Sequence, residues 1–142
     1  MTRLIPFRAE HLFHFVDRDH DVVPTLRDGL LKEKSGPSFT AVINDKIVGC
    51  AGIMILWKGV GYGWVAFGKE IERHPVWFTR MVRAVVRDTI RNYDLHRIEA
   101  AVLADNPKND RWALLLGFTV EVCRARAYTQ DKRDVIRYEL IP

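Results

Sequence analysis

Three side chains able to move a proton fall close together at Glu70, Glu72 and His74, and Pro75 follows at once. Two carboxylates and an imidazole suit general-base work, and histidine titrates nearest neutrality. The ordinary alternative for each is an exposed loop charge. Lys69 and Arg73 stand among them, so the same stretch offers cations beside a helix N-terminus. Asn106, Lys108 and Arg111 form a second set, with an amide and two cations suited to phosphate oxygens. Asn106 precedes Pro107 and is explained equally well as a turn former. His11 and His14 are three apart, a helical spacing for a metal pair, with His20 nearby. No carboxylate or cysteine completes that set, so surface histidines are expected and no metal. Arg80, Arg83, Arg87 and Arg91 make a basic stripe, but no aromatic side chains interleave it. It reads as a solvated face rather than a nucleic-acid track.

The elements that must position these groups fit one domain over residues 1–142. No apolar run reaches membrane-spanning length, and the first residues do not read as a signal peptide. Cys50 and Cys123 each fall in an expected strand, which suits buried, reduced thiols and a cytoplasmic protein. The net charge of +4 suits an anionic ligand without identifying one.

Strands are expected over Arg3–Phe7, Phe39–Ile43, Ile47–Leu56, Tyr62–Phe67, Ile98–Val102, Val120–Tyr128 and Val135–Leu140. Asn44-Asp45-Lys46 reads as a hairpin turn. Helices are expected over Arg8–Arg18, with Leu12, Phe15 and Val16 on one side, and over Asp21–Glu33, with Pro24 in the first turn and Leu26, Leu30 and Leu31 buried. The longest helix spans Arg73–Tyr93, its apolar face running from Phe78 through Val82, Val85 and Val86 to Tyr93. A short helix spans Lys108–Leu116 with Trp112, Leu115 and Leu116 inward, and Gly117 ends it as a left-handed cap. The order is β-α-α-β-β-β-α-β-α-β-β. This is a mixed α/β (α+β) fold with a mostly antiparallel sheet flanked by helices.

The run His96-Arg97-Ile98-Glu99-Ala100, then Asn106, then Leu116-Gly117-Phe118 resembles the C-terminal half of the GNAT superfamily of N-acetyltransferases. The element order is similar to the whole of that fold. The resemblance implies transfer of an acetyl group from acetyl-CoA to an amine by direct attack on the thioester. It implies a cleft between the fourth and fifth strands, with Val65, Phe67, Arg73, Asn106, Lys108 and Arg111 against the cofactor and the base among Glu70, Glu72 and His74. The acceptor, a small-molecule or protein amine, would lie near His20 to Leu31 and Thr129 to Asp134, where Asp17, Asp19, Asp21 and Asp28 add acidity. Exposed Trp57 or Trp77 would mark an interface, as in a homodimer.

The chain departs from the family pattern twice. The family's Q/R-x-x-G-x-G/A loop ahead of the long helix brings backbone N–H groups to the coenzyme A pyrophosphate. Here its glycines fall near Val76 and Phe78, and Pro75 removes a further donor. The family's usual tyrosine, four residues before the glycine of L-G-F, is Ala113. Tyr128 is a substitute that would approach from the following strand. Short phage-encoded GNAT-like proteins are similar in lacking both features. The alternative expectation is therefore a catalytically degenerate phage protein acting in binding or assembly.

Overall fold

The computed structural model describes residues 1–16 and 24–142. The expectations for Asp17, Arg18, Asp19, His20, Asp21 and the start of the second helix lie outside the described residues. Seven strands form one sheet in the order β1-β2-β3-β4-β5-β7-β6. They are β1 (Thr2–Pro6), β2 (Ser38–Ile43), β3 (Lys46–Trp57), β4 (Val60–Phe67), β5 (Arg97–Leu103), β6 (Thr119–Ala125) and β7 (Val135–Leu140). All neighbours are antiparallel except β4 and β5, which run parallel. The β2–β3 hairpin turns on Asn44 and Asp45 at φ 50° and 64°. Both residue types tolerate that left-handed backbone, which matches the twist of the flanking strands.

Helices α1 (Leu26–Lys34), α2 (Pro75–Tyr93) and α3 (Pro107–Leu115) complete the fold, with 3-10 turns at Ala9–Phe13 and Lys69–Arg73. Pro75 and Pro107 each open a helix where a missing N–H costs nothing. Gly117 follows α3 at φ 100°, as the sequence implied. One face of the sheet carries α2 and α3. Phe78 and Val82 of α2 bury against Phe39, Ala41, Ala51 and Phe67, and Ala113 of α3 buries against Ile53, Ile98 and Tyr138. The other face carries the first 3-10 turn and α1, with Phe7, Leu12, Cys50 and Trp64 at its centre.

Several expectations are corrected. In the described part of the helix expected over Arg8–Arg18, residues 8–16, there is a single 3-10 turn, and Val16 is exposed. Helix α1 begins at Leu26, because Thr25 caps it by accepting the Asp28 N–H at 3.1 Å, so Pro24 lies outside. Leu26, Leu30 and Leu31 are exposed, since the face that packs is the one bearing Gly29, set tightly on Ala9. Leu115 and Tyr93 are also exposed. Strand β6 stops at Ala125, and Cys123 is exposed on it, while Cys50 is buried. Trp57 is exposed, but Trp77 packs partly against the core. The long helix, expected from Arg73, begins at Pro75, and Lys69–Arg73 ahead of it is a 3-10 turn with Ile71 buried in the core.

His11 is buried rather than on the surface. Its Nδ1 lies 2.8 Å from Thr40 Oγ1 and accepts the Arg8 N–H at 3.2 Å, and Thr40 Oγ1 lies 3.5 Å from Cys50 Sγ. This chain pins the first 3-10 turn to β2 and β3. Burial pushes the His11 imidazole below its ordinary 6.5, against a smaller opposing effect of Glu10. The folded state therefore favours the neutral ring. That stability is complete above the ordinary value and is lost as pH falls from 6.5 toward the lower folded value. We expect melting temperature to fall across that window and the fall to be shallower in His11→Gln, as followed by circular dichroism.

Candidate active-site cleft

Strands β4 and β5 pair only over Val60↔Arg97, Gly61↔Ile98 and Tyr62↔Glu99. Beyond Tyr62 and Glu99 they part, although β4 continues to Phe67 and β5 to Leu103. The last bridge engages the Gly63 N–H with Glu99 O, and beyond it the β5-facing edge of β4 has no ladder partner. The sequence explains the parting. On β5, half-buried Ala100 and Val102 pack on the core cluster that holds Ala113 of α3, and Trp112, Leu116 and Val86 of α3 and α2 pack on the same side of the sheet. A cavity of about 360 Å³ occupies the gap, reached by Gly63, Trp64 and Val65 of β4, Ala100 and Val102 of β5, and Trp112 of α3. A Cβ at Gly63 would meet only Glu99 O at 3.8 Å and Ile98 Cγ2 at 3.9 Å, so the cleft begins where this strand lacks a side chain.

Polar groups in the lining are few. Tyr62 stands at the apex of the parting, and burial raises its phenol to about 12, so it keeps its proton. Tyr128 and Thr129 close one side, Asn109 another, and Lys32 of α1 reaches in from the opposite face of the sheet. Ala113 lines the cavity where the expected tyrosine is missing, and Tyr128 lines it too, though from the segment beyond β6 rather than from the strand.

Below the apex, on β5, β6 and β7, Arg97 gathers three carboxylates. It donates from Nε to Glu99 at 3.0 Å, from Nη1 to Glu139 at 2.5 Å, and from Nη2 to Glu121. These bonds raise the guanidinium pKa further above its ordinary value, the Glu99 bond most. Arg137 adds a second contact to Glu99 at 3.6 Å. Side chains in the network are 18% to 30% exposed, so screening is partial. Arg97→Met should cost about 2 kcal/mol, because three carboxylates lose their common partner. The loss should shrink in high salt, as measured by urea denaturation.

A second, shallower cavity of about 270 Å³ lies between the start of α2 and α3, lined by Phe67, Glu72, Pro75, Thr79, Lys108 and Trp112 among others. Trp112 and Asn109 line both cavities, while Phe67 and Phe78 line the second alone. Trp112 stacks on Phe78 at 5.7 Å with planes 13° apart, and its indole N–H donates to Thr79 Oγ1 at 3.0 Å.

Of the nine side chains singled out in the sequence, the structure brings only some together. Val65 lines the cleft, while Phe67, Glu72 and Lys108 line the second cavity. Phe67 is buried in the core. Glu70, Arg73 and Arg111 are exposed and line neither cavity, and His74 sits half-buried at the N-cap of α2. Asn106 caps α3, its Oδ1 accepting the Asn109 N–H at 3.2 Å. Sequence reasoning missed Tyr62, Gly63, Trp64 and Lys32. Only the strand register, which fixes where β4 leaves β5, reveals the first three. Among the described residues no cluster of three His, Cys, Asp or Glu side chains could hold a metal, and no helix is long and apolar enough to cross a membrane.

No protein-family model matches the sequence, and no curated protein matches it. Solved structures do match the fold. The ribosomal-protein-S5-alanine acetyltransferase of Vibrio fischeri superposes with a TM-score of 0.75 at 18% identity, over 99% of this chain and 92% of that one. The ribosomal-protein-S18-alanine N-acetyltransferase of Escherichia coli gives 0.74 at 17%, over 99% and 94%. A GNAT-family acetyltransferase of Bacillus anthracis gives 0.73 at 13%, over 99% and 94%. The chain thus has the fold of these N-acetyltransferases along nearly its whole described length.

Proposed function

We propose that the chain is an acetyl-CoA-dependent N-acetyltransferase, and that the cleft between β4 and β5 takes the pantetheine arm. The observation that carries this reading is the parting of the two strands beyond Tyr62↔Glu99. It leaves an unpaired strand edge of the kind an extended, amide-bearing chain can complete. The open side of Gly63 and the apolar wall of Val65, Val86 and Trp112 fit such an arm. The nucleotide end is held differently from the glycine-loop pattern. Pro75 supplies no N–H to the start of α2, and Lys108, which lines the adjoining cavity, offers a cation suited to phosphate.

When bound, the cofactor supplies an activated acetyl carbonyl. The chain's share of the work is orientation and proton handling. The Val65 N–H, the first on the β5-facing edge of β4 past the last bridge, polarises a carbonyl lying in the cleft. Tyr62 keeps its phenolic proton and, with Tyr128, replaces the missing tyrosine as the donor to the departing sulfur. Among the described residues no carboxylate lines the cleft, and Glu70, Glu72 and His74 stand outside it. The acceptor therefore arrives as the free amine, having lost its first proton to water, and the proton its nitrogen sheds on forming the amide returns to the tyrosinate left when the sulfur is protonated. Thiol release from acetyl-CoA in the presence of a panel of amines tests this reading. Amine-dependent release that rises with pH is expected. No release with any amine at any pH would contradict it. A second reading, a phage-type GNAT-like protein acting in binding or assembly, draws on the same start of α2, which lacks the glycines of the phosphate loop.

A further inference from the structure

The cleft opens on the α1 side of the sheet through a corner with an uncommon composition. Trp64 is 8% exposed, its ring held edge-on by Phe7 at 5.1 Å, and its indole N–H is buried without a hydrogen-bond partner. The Lys32 ammonium lies 5.3 Å from the centre of the same ring. Among the described residues that line the cavity, Lys32 alone carries a formal charge. An indole N–H and an ammonium can only donate. A buried donor left unpaired is costly, so it marks a place where a ligand acceptor atom is wanted. Two donors at one ring, one of them cationic, call for an anionic oxygen.

The corner lies on the face opposite α2 and hence away from the helix start where the cofactor phosphates would sit. We propose that Lys32 and Trp64 hold a carboxylate of the acceptor, so that the acceptor is a small amine that also bears an acid group. The inference rests on the acetyl-transfer reading for which molecule enters. It disfavours polyamines, whose charge would meet Lys32. Tyr62 and Tyr128 line the rest of this side and suit an apolar or aromatic body between the two ends. Lys32 and Trp64 are specificity residues here and take no part in bond making.

The test uses the full chain, ¹⁵N-labelled, and follows the Trp64 indole N–H resonance, assigned by its absence in Trp64→Phe. L-phenylalanine and phenethylamine are the probes, since they share ring and amine and differ by the carboxylate. L-phenylalanine should shift the resonance saturably, and phenethylamine should bind at least about tenfold more weakly. Lys32→Ala should weaken L-phenylalanine by a similar factor and leave phenethylamine unchanged, while Lys32→Arg restores most of the loss. Equal binding of the two probes, no shift with L-phenylalanine at tens of millimolar, or unchanged affinity in Lys32→Ala would overturn the proposal. Titration with acetyl-CoA is a separate arm. Failure there with L-phenylalanine binding intact removes the enzyme reading and keeps the corner, and the reverse removes the corner alone.

Discussion

Gly63→Val is expected to leave the fold at least as stable as before and to weaken acetyl-CoA binding by about a hundredfold or more, close to 3 kcal/mol. Gly63 is the first residue of β4 beyond its last pair with β5. A Cβ there meets nothing closer than 3.8 Å, so the added side chain enters open space rather than protein. Valine suits an extended backbone and restricts the unfolded chain more than glycine does, so folding should gain slightly. The same methyl groups occupy the floor of the cleft where the arm must approach the strand edge. Thermal melting and calorimetric titration of the variant separate the two effects. Unchanged cofactor affinity would show that the arm does not pass Gly63.

Trp112→Ala should cost about 3 kcal/mol and lower the melting temperature by roughly 10 °C. Trp112 touches both Phe67, at 6.2 Å, and Phe78, at 5.7 Å, and its N–H is used by Thr79. Removing it takes away the stack that ties α3 to α2 and leaves a void between the two cavities it separates. Trp112→Phe should recover most of the loss, since a ring keeps the stack and only the bond to Thr79 is forfeited. Chemical denaturation of the three proteins measures this. If alanine and phenylalanine were equivalent, the stack would contribute nothing and α3 would be held elsewhere.

Much of the fold was legible because its signals are local. The turn at Asn44-Asp45, Pro75 at the start of α2, and Gly117 after α3 each act within a few residues, and all fall where their chemistry places them. The misjudged parts depend on distant partners. Leucines at helical spacing imply a buried face, yet α1 packs through Gly29, because Ala9 lies against it and leaves no room for a larger side chain. His11 read as a surface residue because Thr40, its buried partner, is far along the chain.

The cleft was legible only in outline. Its two strands follow from pattern and resemblance, but the residue at which they part is a matter of register. That point decides that Tyr62, Gly63 and Trp64, rather than Glu70, Glu72 and His74, line it. Charged loop residues attract attention in a sequence, whereas a glycine in a strand carries its meaning only when its neighbour across the sheet is known.

The central claim is that the parting of β4 from β5 receives acetyl-CoA. Calorimetric titration of the full chain with acetyl-CoA tests it most directly. The account predicts saturable binding at micromolar cofactor, one site per chain, with coenzyme A binding comparably because the arm makes the contacts. Absence of binding at millimolar acetyl-CoA would contradict it and leave an acetyltransferase fold whose cleft serves another ligand.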